Sequence, residues 1–223
     1  IVSTRGDTNV VLLDPRSYAE LDRVQAPVGL HEIAASPDGR RVVGAAYGSG
    51  PRHQTPDQRL LVLNLPDANP ATDDALTLGA LIDLGSAHTR PNNLIVLPGA
   101  RRVLCTSEVA RCVVEVDLDA PDPSSPAILR EYPFHARAGH VLAVSPDFSR
   151  AYVPSVADGT VSVIDLESGE VVATPDAGQG AEGIAASPDG TSVWIACHRG
   201  DKIAVLDTAT NEVVHEFAAS GFP

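Results

Sequence analysis

The sequence has no methionine, a single tryptophan, three cysteines and few basic residues. Its 16 lysines and arginines are outnumbered by 29 aspartates and glutamates, which gives a formal net charge of −13. Binding to nucleic acid requires clustered basic side chains that neutralise phosphates, and anionic membrane surfaces attract the same residues. The composition therefore argues against nucleic acid and against an anionic membrane as partners.

Long apolar runs are also missing, because no stretch of 18 apolar residues occurs. The sequence thus predicts no transmembrane segment. No signal peptide is visible, yet the chain starts at Ile1 rather than at a methionine. We expect a processed or truncated start, which removal of a signal peptide or fragmentation would leave.

Familiar catalytic and metal-binding motifs are absent as well. The sequence contains no G-x-S-x-G, no P-loop, no H-E-x-x-H and no C-x-x-C. Cys105 and Cys112 fall on neighbouring predicted strands of one hairpin. A disulfide between them and, alternatively, three small buried thiols with Cys197 are both open interpretations, because disulfide geometry is demanding.

A repeat of short strands and turns organises what is present. Residues 183–216 read GIAASPDGTSVWIACHRGDKIAVLDTATNEVVHE. Four apolar runs, at residues 183–186, 192–196, 202–206 and 212–216, alternate with turns rich in Pro, Asp and Gly. Runs of this length between such turns predict an up-and-down antiparallel sheet.

The same pattern occurs upstream, in GHVLAVSPDFSRAYVPSVADGTVSVIDLESGE at residues 139–170. Ser145-Pro146-Asp147 and Ser187-Pro188-Asp189 lie 42 residues apart. A period of this size with four strands per unit is typical of a β-propeller, in which each four-stranded sheet is one blade. The fold class predicted is therefore all-β, a propeller of four-stranded antiparallel blades.

The residues of the repeat resemble a known family. The pattern SPDG-x-x-x-(Y/W)-(V/I), then G-(T/D)-x-V-x-V-(I/L)-D, then G/N-E-V-V is similar to YVTN-type β-propeller repeat proteins, closely over residues 139–218 and loosely over 1–138. The resemblance implies a periplasmic, secreted or cell-surface location, with the signal peptide not in this chain. The architecture of this family is similar to that of the heavy chain of quinoprotein amine dehydrogenases, the haem d1 propeller of nitrite reductases and seven-bladed lactonases. Because only the structural repeat matches, no functional residue of those proteins can be assigned to a position of this sequence.

The repeat predicts a single domain over residues 1–223. Residues 1–29 form the second half of a blade, and full blades cover residues 30–84, 92–134, 140–175 and 182–219. Residues 48–58, 66–75 and 120–126 are predicted loops. About four and a half blades suggest a domain incomplete at one or both ends, part of a seven-bladed propeller. An irregular closed ring and an arc closed by dimerisation are the alternatives.

Loops of an up-and-down blade fall on two faces. The SPDG turns and the turns at Asp14, Asp117, Asp165 and Asp207 share one face, where we expect the carboxylates to accept backbone N–H groups. Trp194 holds the repeat position of Tyr152 and is predicted to pack between blades.

The other face, called here the His-bearing face, gathers six of the seven histidines. They are His31, His53, His88, His135, His140 and His198. The predicted ligand-binding residues at the channel mouth are His31, Glu32, Asn92, Asn93, His140, Glu182, His198 and Arg199. Ser107, Glu108 and Ser155 either contact a ligand there or cap turns. Because loops are polar in any case, a wet channel mouth without a ligand is the alternative interpretation.

The sequence thus predicts an exported binding or scaffold propeller with a small-molecule or protein partner on the His-bearing face. A divalent metal and haem are the candidate cofactors, with no metal ligand set assigned and no catalytic residue named. The alternative is an enzyme or redox subunit, either quinoprotein-like or haem d1-like, or a lactonase-like hydrolase. In the lactonase case, Glu32, Asn92 and Glu182 would hold a divalent ion.

Overall fold

The computed structural model describes residues 1–4, 8–27, 29–49, 55–65, 76–120, 127–221 and 223. Every regular element in these ranges is a β-strand, and the strands form five antiparallel sheets. In these ranges no helix has the length and apolarity needed to cross a membrane. The all-β prediction is confirmed.

The first two sheets contain seven strands. The first has the order β1 Val2–Thr4, β2 Asn9–Leu13 and β3 Glu20–Gln25. The second has the order β4 Leu30–Ala35, β5 Arg41–Ser49, β6 Thr55–Asn64 and β7 Thr77–Asp83. Strands adjacent in the chain are adjacent in the sheet, as in an up-and-down blade.

The remaining three sheets repeat the four-stranded pattern. The third consists of β8 Pro91–Val96, β9 Arg102–Ser107, β10 Cys112–Asp117 and β11 Ile128–Pro133. The fourth consists of β12 Ala143–Val144, β13 Arg150–Pro154, β14 Val161–Asp165 and β15 Val171–Ala173. The fifth consists of β16 Ala181–Ala186, β17 Ser192–Cys197, β18 Lys202–Asp207 and β19 Glu212–Ala218. Each of these sheets has the up-and-down strand order of the second sheet.

The chain divides into two compact units. Unit 1 comprises residues 1–110 and 114–130, and unit 2 comprises residues 111–113 and 131–223. Val10, Leu30 and Leu63 belong to a buried core cluster of unit 1, whereas Ile195 and Leu206 belong to one of unit 2. Burial of such aliphatic side chains is the main favourable contribution to the stability of each unit. That residues 1–223 form a single domain stays a prediction.

Two predictions about unit 1 are wrong in detail. Residues 1–29 carry three strands rather than two, because β1 pairs with β2 from Val2 opposite Val11. The predicted loop at residues 48–58 is partly strand, since Gly48 pairs with Pro56 and Ser49 with Thr55 past a bulge that begins at Ala46. Residues 50–54, 66–75 and 121–126, which include His53, lie outside the described residues.

The SPDG turns of the second and fifth sheets and the SPDF turn of the fourth are built alike. The Ser36 hydroxyl donates to Asp38 at 2.6 Å and accepts the Arg41 N–H at 2.9 Å. The equivalent contacts tie Ser145 to Asp147 and Arg150, and Ser187 to Asp189 and Ser192. Serine and aspartate at this spacing close the first-to-second hairpin by replacing backbone partners with side-chain ones.

The aspartates of the third-to-fourth turns have the structural role predicted for them. Asp165 accepts the backbone N–H groups of Glu167 and Ser168, at 3.0 and 2.8 Å. Asp14 and Asp207 accept the equivalent pairs, and Asp117 accepts the Asp119 N–H and the Arg101 guanidinium. These bonds lower the pKa of each carboxyl below its ordinary value, so the turns stay charged at neutral pH.

The structure bears on two further expectations, the state of the three cysteines and the packing of the one tryptophan. Cys105, Cys112 and Cys197 are all buried thiols, which agrees with the buried-thiol interpretation. Trp194 is 44% exposed and stacks on Phe217 of its own sheet, with ring centroids 5.7 Å apart. The prediction that Trp194 packs between blades is therefore wrong for the described residues, whereas the equivalent Tyr152 is fully buried.

Candidate functional site

Two positions of the repeat supply the polar side chains of the His-bearing face. The first lies five residues before the residue that opens the SPDG turn or its equivalent, and it holds His31, Asn92, His140 and Glu182. The second lies eleven residues after that residue, just beyond the second strand, and it holds Tyr47, Glu108, Val156 and His198. Because neighbouring strands in these sheets are antiparallel, the start of a first strand lies opposite the end of the second strand of the same sheet.

In unit 2 these positions form a cluster of two imidazoles and one carboxylate. His140 Nε2 lies 3.1 Å from Glu182 Oε1, and His198 Nδ1 lies 3.1 Å from Glu182 Oε2. The side chain of Glu182 is 40% exposed, that of His140 is 23% exposed and that of His198 is 7% exposed. We call these three residues the His–Glu–His cluster.

Backbone contacts hold the His140 ring and the main chain at His198. His140 Nδ1 lies 3.1 Å from the Ala138 carbonyl oxygen, and the His198 N–H donates to the Gly180 carbonyl at 3.1 Å. Gly180 has φ +71°, and a Cβ there would lie 2.8 Å from the Arg199 backbone nitrogen. Glycine is needed at this position because only it permits the turn of His198 to approach the start of β16 so closely.

The cluster can act as a recognition site. A carboxylate held between two oriented imidazoles presents acceptor and donor atoms from three separate segments of the chain. Histidine and glutamate are also ligands that zinc accepts in proteins. Because the carboxylate is the most exposed of the three groups, a ligand reaching the cluster meets Glu182 first.

In unit 1 the equivalent positions form a different cluster around Tyr47. The Tyr47 hydroxyl donates to Glu108 Oε2 at 2.5 Å, and the Arg90 guanidinium lies 5.7 Å from the centre of the Tyr47 ring. The His31 ring is 5.3 Å from the same ring, and His31 Nδ1 is 3.5 Å from Glu32 Oε1. Burial and the hydrogen bond to Glu108 raise the pKa of Tyr47 to about 12, so the phenol is neutral at physiological pH.

The other residues of the predicted site have more varied surroundings. Asn92 is buried at the start of β8, and the neighbouring Asn93 donates its backbone N–H to Thr106 Oγ1 at 3.0 Å. Arg199 follows His198 in the turn between β17 and β18 and is exposed. The structure thus brings together His140, Glu182 and His198, and it places His31 beside Glu32. Assembly of all eight residues into one ring stays a prediction.

Ser155 has the structural role that was the alternative to ligand contact. Its hydroxyl donates to the Arg137 carbonyl at 2.9 Å and accepts the Asp158 N–H at 3.1 Å. Arg137 also donates to the Asp158 carboxylate at 2.7 Å, and this bond is the main cause that lowers the pKa of Asp158 to about 2. Glu108, by contrast, belongs to the Tyr47 cluster rather than to a turn cap alone.

Sequence reasoning missed Tyr47 as a member of the face. A signal was available, because aligning the four repeats at Ser36, Leu97, Ser145 and Ser187 places Tyr47 and Glu108 at the position of His198. Polar residues in three of four repeats at one position after an apolar strand would have singled that position out.

Comparison with known proteins gives evidence about the fold of this chain. No protein-family model matches the chain, and no curated protein matches it. Many solved structures do, 1253 chains in all, so the architecture is widespread and by itself says little about activity. One of them is hydrazine synthase from Kuenenia stuttgartiensis, with a TM-score of 0.52 and 24% sequence identity.

The fold is β-propeller-like. The likeness to hydrazine synthase covers 59% of this chain, and it spans 36% of that protein's chain, well under half its length. Together with the up-and-down sheets, it supports a propeller-like fold for this chain. At this level of identity the likeness is evidence of fold alone.

Proposed function

We propose that this chain is an exported binding or scaffold propeller whose ligand or partner surface is the His-bearing face. The observation that carries the proposal is the His–Glu–His cluster, in which three segments of unit 2 converge on one exposed carboxylate. The opposite face, which carries the SPDG turns and is called here the SPDG face, differs in the role of its aspartates. There Asp147 and Asp189 accept backbone N–H groups that close turns. The Glu182 side chain on the His-bearing face is 40% exposed, so a ligand can reach it.

The cluster favours small ligands that combine with histidine and carboxylate groups. A divalent metal ion and haem, the two candidate cofactors, both bind such groups. Zinc and haemin are therefore suitable probes, and a protein partner would use the same surface. Anything that binds the folded chain alone raises its melting temperature, by an amount that grows with concentration over Kd.

The test is thermal unfolding with zinc chloride or haemin, for the unaltered protein and two variants. Glu182→Ala removes the central carboxylate, and Glu170→Ala removes an exposed glutamate near β15 as a matched control. We expect a probe to raise the melting temperature of the unaltered protein and of Glu170→Ala but not of Glu182→Ala. Absence of any shift in the unaltered protein, or an equal shift in both variants, would contradict the proposal.

We further propose that the chain is a YVTN-type repeat protein and that its sheets belong to a longer, seven-bladed propeller. The support is a difference between equivalent residues of unit 2. Tyr152 is fully buried where the fifth sheet follows its own, whereas Trp194 and Phe217 are 44% and 49% exposed. A further blade on this face would cover the aromatic pair, as blades do in propellers.

The intact mass of the protein from its natural source tests the blade proposal. A mass above 23.2 kDa by about 10–14 kDa would fit two or three more blades at the repeat length typical of propellers. Acrylamide quenching of Trp194 fluorescence should then be weaker in that longer protein than in residues 1–223. A natural mass of 23.2 kDa would refute the proposal. Fractionation of the producing cells tests export, which rests on the family resemblance.

The alternative function, an enzyme or redox subunit, remains a hypothesis from the sequence. The likeness to hydrazine synthase does not favour it, because a likeness at 24% identity speaks for the fold only. Chelator-sensitive hydrolysis of a lactone, abolished by Glu182→Ala, would be the result that replaces the binding proposal with the enzymatic one.

A further inference from the structure

A second candidate site lies on the SPDG face of unit 2, away from the His–Glu–His cluster. A cavity of about 300 Å³ opens beside the SPDG turns of the fourth and fifth sheets. Its walls include Asp147, Arg150, Tyr152, Asp189 and Thr208. The volume is at the lower end of the range for small-molecule pockets, roughly 300–1,000 Å³.

The buried hydroxyl of Tyr152 is the first indication that this cavity takes a ligand. Tyr152 is fully buried, it lines the cavity, and its hydroxyl has no hydrogen-bond partner among the described residues. A buried polar group without a partner costs stability, roughly 1–3 kcal/mol, so most such groups in proteins are satisfied. A ligand in the cavity would supply the bond.

The equivalent place in unit 1 is the second indication, because the corresponding residues there differ in chemistry and in pairing. Arg41, which corresponds to Arg150, forms an ion pair with Asp119 at 2.6 Å and donates to the Ala100 carbonyl at 3.2 Å. Val43 stands at the position of Tyr152 and is fully buried. The unit 1 site is therefore apolar and charge-neutralised.

In unit 2 each of these closing features has changed. Ala209 stands at the position of Asp119, and Arg150 donates instead to the neutral amide oxygen of Asn211 at 3.2 Å. Gly190 replaces Ala100, and its carbonyl accepts the hydroxyl of Thr208 at 2.6 Å. These changes leave a polar cavity where unit 1 has an ion pair and an aliphatic side chain.

The charges around the cavity limit what it can hold. The Ser145 and Ser187 hydroxyls, with backbone N–H groups, lower the pKa values of Asp147 and Asp189 to about 2, so both are ionised at neutral pH. Two carboxylates and one guanidinium give the wall an excess of negative charge, which disfavours an anion. Hydroxyl groups can both accept from Arg150 and donate to the carboxylates.

We propose that the cavity lined by Asp147, Arg150, Tyr152, Asp189 and Thr208 binds a small neutral polyol, such as a cyclitol or a single sugar unit. Hydroxyls of the ligand accept from the Arg150 guanidinium, donate to the Asp carboxylates and pair with the Tyr152 hydroxyl. The site is separate from the His-bearing face and does not depend on the function proposed there.

Calorimetric titration with myo-inositol tests the proposal, with inorganic phosphate as the anionic comparison. Tyr152→Phe removes one hydroxyl and should raise the Kd about fivefold, the effect of one hydrogen bond. Ala209→Asp introduces the carboxylate of the unit 1 site on an exposed turn, and we expect it to abolish binding by pairing with Arg150. Arg41→Gln, which alters the unit 1 residue equivalent to Arg150, is the control and should leave the Kd unchanged.

Each outcome of these titrations either supports or overturns the proposed polyol site. Binding of myo-inositol that is weakened by Tyr152→Phe and lost in Ala209→Asp supports the site and its ligand class. Binding of phosphate but not of myo-inositol overturns the ligand class. No binding of either probe, or binding insensitive to both unit 2 variants, overturns the site. Because Ala209 is exposed, this variant keeps the test decisive even if Tyr152→Phe folds poorly.

Discussion

Replacing Gly29 by alanine should destabilise unit 1 strongly, and the structure allows the cause to be separated into two parts. Gly29 has φ +74°, and its added Cβ would lie 1.9 Å from the Gly48 carbonyl oxygen. The left-handed backbone costs a non-glycine residue about 1 kcal/mol. Relief of the contact requires β5 to move, and overpacking of this kind costs about 1–3 kcal/mol. We therefore expect a total of about 2–4 kcal/mol from these two terms.

Gly39→Ala is the matched control, because it imposes the backbone cost without the contact. Gly39 has φ +70°, and a Cβ there would meet nothing within 4 Å. We expect this variant to lose only about 1 kcal/mol. Urea unfolding of both variants at one temperature measures the difference. Equal losses for Gly29→Ala and Gly39→Ala would refute the close approach of Gly29 to Gly48, and with it the placement of His31 and Tyr47 that this approach fixes.

Three further predictions concern the core and the titration of single groups. Leu206→Ala should cost unit 2 about 3 kcal/mol in urea unfolding, since Leu206 is fully buried, whereas Leu129→Ala, on an exposed side chain, should cost well under 1 kcal/mol. Because the pKa of Tyr47 is raised from 10.0 to about 12, its stabilising contribution is present below pH 10 and is lost as the pH rises towards 12. Tyr47→Phe should flatten that alkaline loss, and an unchanged loss would contradict the Glu108 contact. Asp158 has its pKa lowered from 3.8 to about 2, so its contribution is present above pH 3.8 and is lost as the pH falls towards 2. Asp158→Asn should reduce the acid loss of stability, and an acid unfolding curve that overlays that of the unaltered protein would argue against the Arg137 pair.

The strands were predictable because their signals are local. The SPD sequences at Ser36, Ser145 and Ser187 specify turns through contacts within five residues, so their positions follow from the sequence. β1 was missed because Val2–Thr4 is too short to show alternation and is recognisable only through its pairing with β2. The extension of β5 and β6 beyond Ala46 was missed for a similar reason, since glycine and proline there suggest a loop.

The site was predictable by position but not by contact. The repeat placed His140, Glu182 and His198 on one face, yet it could not show that one carboxylate lies between two imidazoles. That arrangement depends on the bulge after Ala181 and on the close turn at Gly180, which are properties of the folded sheet. The surroundings of Tyr152 could not be predicted from the sequence either. They include the hydrogen bond from Arg150 to Asn211, which joins the fourth sheet to the fifth.

Zinc titration followed by the imidazole ¹⁵N signals of the histidines tests whether the His–Glu–His cluster is a binding site. We expect the signals of His140 and His198 to shift together at the same zinc concentration and Glu182→Ala to remove the common transition. His215, on β19, belongs to no cluster of the His-bearing face and serves as the internal control. Separate transitions for His140 and His198, or a transition of His215 at equal or lower zinc concentration, would contradict the assignment of the His–Glu–His cluster as a binding site.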